Sequence, residues 1–280
     1  MKKLLGAVLA LLTVAVVLVW LWKAEPATNK EDRPPKDTEQ LSGAVITPPE
    51  EDKTPEGDPQ PEVPVEPEVP VEPEIPAAGF DTTSWELLLV NPWNPVPEDY
   101  EMTLVNLPNG MQADSRVYDA LMEMLNACKA DGLHAIVGSA YRSYDTQVGL
   151  YNNKIERLKK QGYDAETARQ EAGRVVAVPG TSEHQTGMAF DIVALSYQLL
   201  EEDQENTAEQ KWLMEHCYEY GFILRYPKDK VDITGIIYEP WHYRYVGKEA
   251  ALAIRDSGLC LEEWLGKEAE AALPRVSFNG

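Results

Sequence analysis

The sequence predicts an α+β fold: a single compact domain with a central, largely antiparallel sheet flanked by helices, after an N-terminal transmembrane helix and a disordered linker. Three changes along the chain support this prediction. Residues 1–22 are almost wholly apolar, residues 23–79 are rich in proline and glutamate, and residues 80–280 mix helical and strand periodicities. Because these periodicities do not alternate regularly, they favour α+β over a doubly wound sheet.

The N-terminal segment, residues 1–22, has the length of a membrane span. A run of 19 uncharged residues, Leu4–Trp22, follows Lys2 and Lys3. As a helix it extends about 28 Å, close to the hydrocarbon thickness of a bilayer. It is longer than the apolar region of a usual secretory signal peptide, and it ends in tryptophans, which suit the membrane interface, rather than in a small-residue cleavage site. We expect a single-pass signal-anchor with the rest of the chain outside the cytoplasm; a cleaved signal peptide on a secreted protein is the alternative.

Residues 23–79 form the predicted linker. They contain 13 of the 21 prolines and carry a net charge of about −10, and the hexapeptide PEVPVE of residues 61–66 repeats at residues 67–72. Proline at every third position favours polyproline II, and repulsion between the glutamates extends the chain further. Because this composition cannot bury a core, we interpret the segment as a tether. A ligand for a proline-recognising partner is the alternative.

The remaining residues, 80–280, are enough for a single domain with its own core. Apolar residues at helical spacing predict helices, and runs of β-forming residues bounded by glycine or proline predict strands. The predicted helices are 115–129, 144–160, 164–175, 209–220 and 248–256. The predicted strands lie within 85–100, 133–143, 188–194, 221–227 and 233–247, the last broken at Pro240.

Charge and cysteine content argue against two classes of protein. The net charge of −22 argues against nucleic-acid binding, which needs basic patches to neutralise phosphates. The three cysteines, Cys128, Cys217 and Cys260, form no CxxC pair, and their odd number argues against a disulfide framework. One disulfide bridge remains open. The sequence carries no signal of oligomerisation, and we expect a monomer.

The first candidate metal ligands are His184 and Asp191, in the segment SEHQTGMAFD of residues 182–191. Asp191 stands among apolar residues of a predicted strand, where a buried carboxylate needs a partner, and a metal ion is one such partner. Gly187 and Ala189 leave room for close backbone approach. A capping or salt-bridged aspartate is the alternative interpretation.

His242 and Glu239 lie in the segment EPWH. Residues three apart point to opposite faces of a flat strand, so these side chains converge only if a turn or bulge at Pro240 bends the chain. With His184 and Asp191, His242 would supply two imidazoles and one carboxylate. That is the ligand set of a catalytic zinc with its fourth position left for water. Glu239 would then act as general base.

One further candidate is an arginine, and two histidines are left without a predicted catalytic role. Arg142, at the end of a predicted strand in SAYRS, is a candidate for stabilising a developing oxyanion as a fixed cation. Of the two other histidines, His216 is interpreted as structural because no carboxylate or histidine shares an obvious face of its predicted helix. His134 is interpreted as a satisfied, half-buried histidine of a predicted strand.

Four stretches resemble the D-alanyl-D-alanine carboxypeptidases of the VanY type, zinc peptidases that share a site with lysostaphin-type and hedgehog-type domains. In chain order they are LLLVNPWNPVPEDY, SAYRSYDTQ, SEHQTGMAFDI, which matches the motif SxHxxGxAxD, and GFILRYP with TGIIYEPWHYRYVG. The resemblance covers about residues 85–265 and leaves out the anchor and the linker.

The resemblance implies a Zn²⁺ ion on His184, Asp191 and His242, with Glu239 as base and Arg142 as transition-state stabiliser. It also implies that five residues shape the substrate pocket: Ser139, Tyr141, Ser143, Gln147 and Ser182. Residues 80–280 would then be a zinc D,D-carboxypeptidase domain that removes the terminal D-Ala from peptidoglycan stem peptides.

Two other functions remain open. The same zinc site would serve an L,D-carboxypeptidase acting on tetrapeptide stems, because the family contains both activities. A non-catalytic cell-wall-binding module with structural zinc belongs to a different class. A closed structural site uses four protein ligands, often thiolates, whereas three ligands are apparent here and the cysteines are scattered.

Overall fold

The computed structural model describes residues 76–267. The predicted signal-anchor of residues 1–22, residues 23–75 of the predicted linker and residues 268–280 lie outside this range. Among the described residues, no helix combines the length and apolar character that crossing a membrane requires. The anchor and the exact limits of the domain stay predictions.

Two antiparallel sheets are present in the described range. Strands β1 (Leu104–Asn106) and β2 (Gln112–Asp114) form a hairpin. The central sheet consists of β3 (Ala135–Ser139), β4 (Ala189–Ala194), β5 (Phe222–Leu224) and β6 (His242–Tyr245), in the spatial order β3-β4-β6-β5. All six residues of β4 are buried, which explains why this strand is apolar apart from one aspartate. The predicted α+β class with an antiparallel sheet is confirmed.

Seven helices accompany the sheets among residues 76–267. They are α1 (Tyr118–Ala130), α2 (Tyr144–Lys160), α3 (Ala165–Val175), α4 (Ala208–His216), α5 (Val231–Thr234), α6 (Lys248–Ser257) and α7 (Leu261–Trp264). Three of them begin at polar caps, which helix N-termini favour: Ser143 accepts from Thr146 N before α2, Asp164 from Glu166 N and Thr167 N before α3, and Thr207 from Gln210 N before α4.

The five predicted helices are all present, with one difference. The helix predicted over 209–220 divides into α4 and a 3₁₀ turn, Cys217–Tyr220, which Gly221 ends at a φ of 85°. The short helices α5 and α7 and the β1–β2 hairpin were not predicted.

The strand predicted within residues 85–100 is wrong. Trp85–Leu87 form a 3₁₀ turn, and residues 88–90 belong to no strand of the described chain. Leu87 and Leu89 are buried in a cluster with side chains of α6 and α7. The carbonyl oxygens of Glu86 and Leu88 accept hydrogen bonds from Arg244 Nη2 at 3.0 and 2.8 Å. The apolar side chains of this run are buried by packing, and an arginine binds two of its carbonyl groups. The run therefore needs no neighbouring strand.

Candidate metal centre

The central sheet places two of the predicted ligands side by side. In the antiparallel pairing of β4 with β6, Asp191 stands directly opposite His242. His184 comes from a 3₁₀ turn, Glu183–Thr186, that precedes β4. One ligand atom from each of the three side chains lies within 4.8 Å of the others, and all three residues are buried. The predicted ligands are brought together as one cluster.

Gly187 allows this turn to reach the sheet. It has a φ of +71°, and a Cβ at this position would lie 2.8 Å from the backbone nitrogen of Asp114. Only glycine adopts this conformation without strain while the backbone approaches so closely. The predicted close approach at Gly187 is confirmed.

A tight turn brings Glu239 to the cluster. The backbone N–H of His242 donates to the carbonyl oxygen of Glu239 at 3.1 Å, which closes a four-residue turn with Pro240 at its second position, where proline is favoured. The Glu239 Oε2 atom consequently lies 3.6 Å from His242 Nδ1. The predicted convergence of Glu239 and His242 through a turn is confirmed.

The ring nitrogens of both histidines are arranged for metal binding. His184 Nδ1 lies 2.8 Å from the carbonyl oxygen of Ala140, and its Nε2 lies 3.3 Å from Asp191 Oδ1. His242 Nε2 lies 3.3 Å from Glu183 Oε2, and its Nδ1 lies 3.2 Å from Asp191 Oδ1. An acceptor on the outer nitrogen of each ring leaves the inner lone pair for a cation. Two such imidazoles and a carboxylate fit zinc.

Burial and charge shift the pKa values of this cluster. Burial raises the pKa of Glu239 to about 8; His242 and Arg142 oppose this rise, and the negative charge of Asp191 adds to it. Burial disfavours charge on His242, but its hydrogen bonds to Asp191 and Glu183 prevail and raise its pKa to about 9. The carboxylates on both sides of the ring therefore favour positive charge at this position.

Arg142 lies beside the cluster and is held by three neighbours. Its Nη1 donates to Gln147 Oε1 at 2.8 Å, and its Nη2 donates to Ser139 Oγ at 2.9 Å and lies 3.6 Å from Asp191 Oδ2. Gln147 is fully buried and also donates to the carbonyl oxygen of Ala177 at 2.6 Å. The guanidinium is therefore fixed at one side of the candidate metal centre.

A cavity of about 270 Å³ opens at the cluster. The predicted ligands, Glu239, Arg142 and Ser182 line it. Its aliphatic lining consists of Leu150, Val175, Val176, Ala177, Leu200, Ile236 and Ile237.

The five residues predicted to shape the substrate pocket have different surroundings. Ser182 lines the cavity, whereas Ser139 and Gln147 contact Arg142 and Ser143 caps α2. Tyr141 is half-buried, and its backbone N–H donates to the carbonyl oxygen of Gln112. Direct contact of these residues with substrate stays a prediction.

Sequence reasoning missed two residues of the site. Glu183 is fully buried and accepts hydrogen bonds at Oε1 from Arg225 Nε at 2.7 Å and from Arg244 Nη1 at 2.9 Å. Burial alone would raise the pKa of Glu183, but the two arginines hold it well below its usual range. Tyr226 lines the cavity with its ring centroid 4.7 Å from that of His242. The only sequence signal for Glu183 was its place beside His184.

Comparison with known proteins identifies the family to which the chain belongs. The profile of the VanY family, described as D-alanyl-D-alanine carboxypeptidase, matches residues 110–248. A D-alanyl-D-alanine carboxypeptidase of Enterococcus faecalis strain V583 is 45% identical over 190 residues, which are 67% of this chain and 68% of the relative. The chain belongs to the VanY family.

Solved VanY structures share the fold. VanYB in complex with D-alanine-D-alanine is 46% identical, with a TM-score of 0.61 over 66% of this chain and 100% of that chain. A mutant of the D,D-pentapeptidase VanY from a VanB-type resistance cassette, in complex with Zn(II), is 45% identical, with a TM-score of 0.60 over 65% of this chain and 99% of that chain. The resemblance to VanY that the sequence motifs indicated is confirmed.

Proposed function

We propose that this VanY-family chain is a zinc-dependent D-alanyl-D-alanine carboxypeptidase that removes the terminal D-alanine from peptidoglycan stem peptides. One observation carries the proposal: His184, Asp191 and His242 converge within 4.8 Å at a cavity that Glu239 also lines. The activity in the name of the E. faecalis relative, the D-alanine-D-alanine complex and the Zn(II) complex support the substrate and the metal.

His184, Asp191 and His242 would hold the zinc ion. Three protein ligands are typical of a catalytic rather than a closed structural site. When bound, zinc supplies Lewis acidity that polarises a carbonyl group and lowers the pKa of bound water toward about 7. The Zn²⁺ ion is the cofactor that we assign to this chain, and the residues around it determine which proton moves.

Glu239 is the proton carrier of the proposed reaction. Its carboxylate takes a proton from the attacking water and delivers it to the nitrogen of the departing D-alanine as the peptide C–N bond breaks. Burial raises the pKa of Glu239 to about 8, a direction that suits a group that accepts a proton and passes it on near neutral pH.

Arg142 stabilises the negative charge that develops on the carbonyl oxygen. Gln147 and Ser139 hold its guanidinium at 2.8 and 2.9 Å, so little reorganisation is needed when the charge appears. A substitution that displaces Arg142 should therefore act on the chemical step more than on substrate binding.

We further propose that the chain acts outside the cytoplasm as a monomer, with residues 1–22 as a single-pass anchor and residues 23–79 as a tether to the wall. The uncharged run Leu4–Trp22 and the proline-rich composition of the tether support this arrangement. A full-length protein that fractionates with membranes and is released by a protease cut within 23–79 would agree with it. A shortened N-terminus on a secreted form would replace the anchor with a cleaved signal.

Mass spectrometry of the products tests the proposed activity. Purified full-length protein is incubated with pentapeptide and tetrapeptide stems, with added zinc or with a chelator. We expect the pentapeptide to lose one alanine when zinc is added and to stay intact when the chelator is present. Loss of alanine from the tetrapeptide alone would identify an L,D-carboxypeptidase, and no release from either stem would contradict the proposal.

A further inference from the structure

Glu183 lies on the side of His242 that faces away from the cavity. Its Oε2 atom is 3.3 Å from His242 Nε2, while the other ring nitrogen faces Asp191 and Glu239. Glu183 is placed to accept a hydrogen bond from Nε2. A proton on Nε2 would leave the Nδ1 lone pair for a metal ion.

Three further side chains fix the Glu183 carboxylate, and we call the four residues the ion network. Arg225 and Arg244 donate to Glu183, and Arg225 also forms a bidentate pair with Glu262 of α7 at 2.9 and 2.6 Å. All four side chains are fully buried. The two glutamates and two arginines balance in formal charge. Asn91 donates to Glu262 Oε1 at 3.0 Å and closes the outer end.

Stability alone does not account for such a network. Removing charges from water is costly, and apolar residues of similar volume often serve the fold equally well. Hydrogen-bonded partners of metal-bound histidines, in contrast, commonly change metal affinity or activity when they are replaced. Because the network ends on a ligand of the candidate metal centre, positioning that ligand is the role that fits it.

We propose that Glu183 is a positioning residue for the metal centre: its carboxylate sets the orientation of the His242 ring, and Arg225, Arg244 and Glu262 fix the carboxylate. The inference rests on the proposed function for the presence of zinc. Glu262 lies outside residues 110–248, the range that matches the VanY profile. The short helix α7 consequently contributes to the metal centre from beyond the matched region.

Zinc affinity tests this role without any substrate. Full-length apoprotein is titrated with zinc against a competing chelator, and thermal unfolding of the apoprotein is recorded in parallel. Glu183→Gln keeps the shape but removes the charge, and we expect zinc binding to weaken by about 10- to 100-fold. Glu262→Gln acts only through Arg225, and we expect a smaller weakening.

A matched control separates positioning from general damage. Asp114 is another fully buried carboxylate paired with an arginine, and its side chain accepts hydrogen bonds from Arg116. We expect Asp114→Asn to lower the unfolding temperature and to leave zinc affinity unchanged. Equal weakening by Asp114→Asn would show a general structural effect and would overturn the proposal.

Unchanged zinc affinity in folded Glu183→Gln would also overturn the proposal. If that variant does not fold, Glu262→Gln decides, because it leaves the contact between Glu183 and His242 in place. Wild-type affinity in Glu262→Gln would then reject the network. A wild-type protein that binds zinc but hydrolyses no stem peptide would refute the proposed function and leave this inference standing.

Discussion

Two buried glutamates face the same histidine, and the pKa values of their carboxyl groups are shifted in opposite directions. Two arginines donate directly to Glu183 and hold the pKa of its carboxyl well below the usual range, whereas burial raises the pKa of Glu239 to about 8. The difference lies in the neighbours, since both side chains are removed from water. We therefore expect Glu183 to stay charged and position the ring, and Glu239 to exchange protons at the cavity.

The contrast extends to the surroundings of the two residues. On the Nε2 side of His242, the ion network is closed and its charges balance. On the Nδ1 side, the cluster opens to the cavity and gathers two carboxylates and two imidazoles beside Arg142. A closed, charge-balanced network and an open cluster therefore lie on opposite sides of a single imidazole.

Removal of the metal should have the largest effect on activity. We expect a chelator to abolish release of D-alanine and added zinc to restore it, because the cluster then loses its Lewis acid. The core around α1, β4 and α4 consists of apolar side chains, and we expect it to hold without the metal. Circular dichroism should show that most secondary structure remains. Unfolding of the domain on chelation would instead favour structural zinc and a wall-binding module.

Glu239→Gln should abolish proton transfer and leave the ligands in place. We expect kcat to fall by about 10²- to 10⁴-fold, the range for loss of a general base, with zinc binding retained. The opposite is expected for Glu183→Gln, whose main effect is a loss of zinc affinity. Stopped assays with a zinc titration measure both quantities. Glu249→Gln, an exposed glutamate at the start of α6, is the control; wild-type turnover in Glu239→Gln would remove Glu239 from the mechanism.

Gln147→Leu tests whether the arginine beside the cluster must be fixed. The variant removes the 2.8 Å hydrogen bond to Arg142, and we expect kcat/KM to fall by about tenfold, less than the 10²- to 10³-fold cost of removing an oxyanion donor outright. Gln210→Leu is the matched control, because Gln210 is equally buried but bonds to Tyr243 and to the backbone of Ile192. A similar loss of kcat/KM in both variants would point to destabilisation rather than to Arg142.

The sequence predicted the cavity side of His242 better than the network side. His184, Asp191, Glu239 and His242 belong to local motifs whose residue types indicate chemistry. The partners of Glu183 are 42 and 61 residues away in sequence, and Glu262 lies another 37 residues from Arg225. No spacing rule connects such residues, because the fold alone brings them together. The β1–β2 hairpin was missed for a related reason: three residues per strand are too few to show an alternating pattern.

The smallest effect on activity is expected at Ser143, which the resemblance assigned to the substrate pocket together with Ser182. The Ser143 side chain accepts the backbone N–H of Thr146 at the start of α2. Loss of such a cap lowers the free energy of unfolding by about 1 kcal/mol. Ser182 lines the cavity beside the cluster. We therefore expect Ser143→Ala to lower the unfolding temperature with little change in KM, and Ser182→Ala to raise KM with little change in stability.

Denaturant unfolding and steady-state kinetics on both serine variants measure these two effects. A rise in KM for Ser143→Ala as large as that for Ser182→Ala would place Ser143 in contact with substrate, as the resemblance implies. The cap would then serve both the helix and the peptide. Because α2 also carries Gln147, which holds Arg142, such a result would mean that the start of one helix fixes both the substrate and the cation that acts on it.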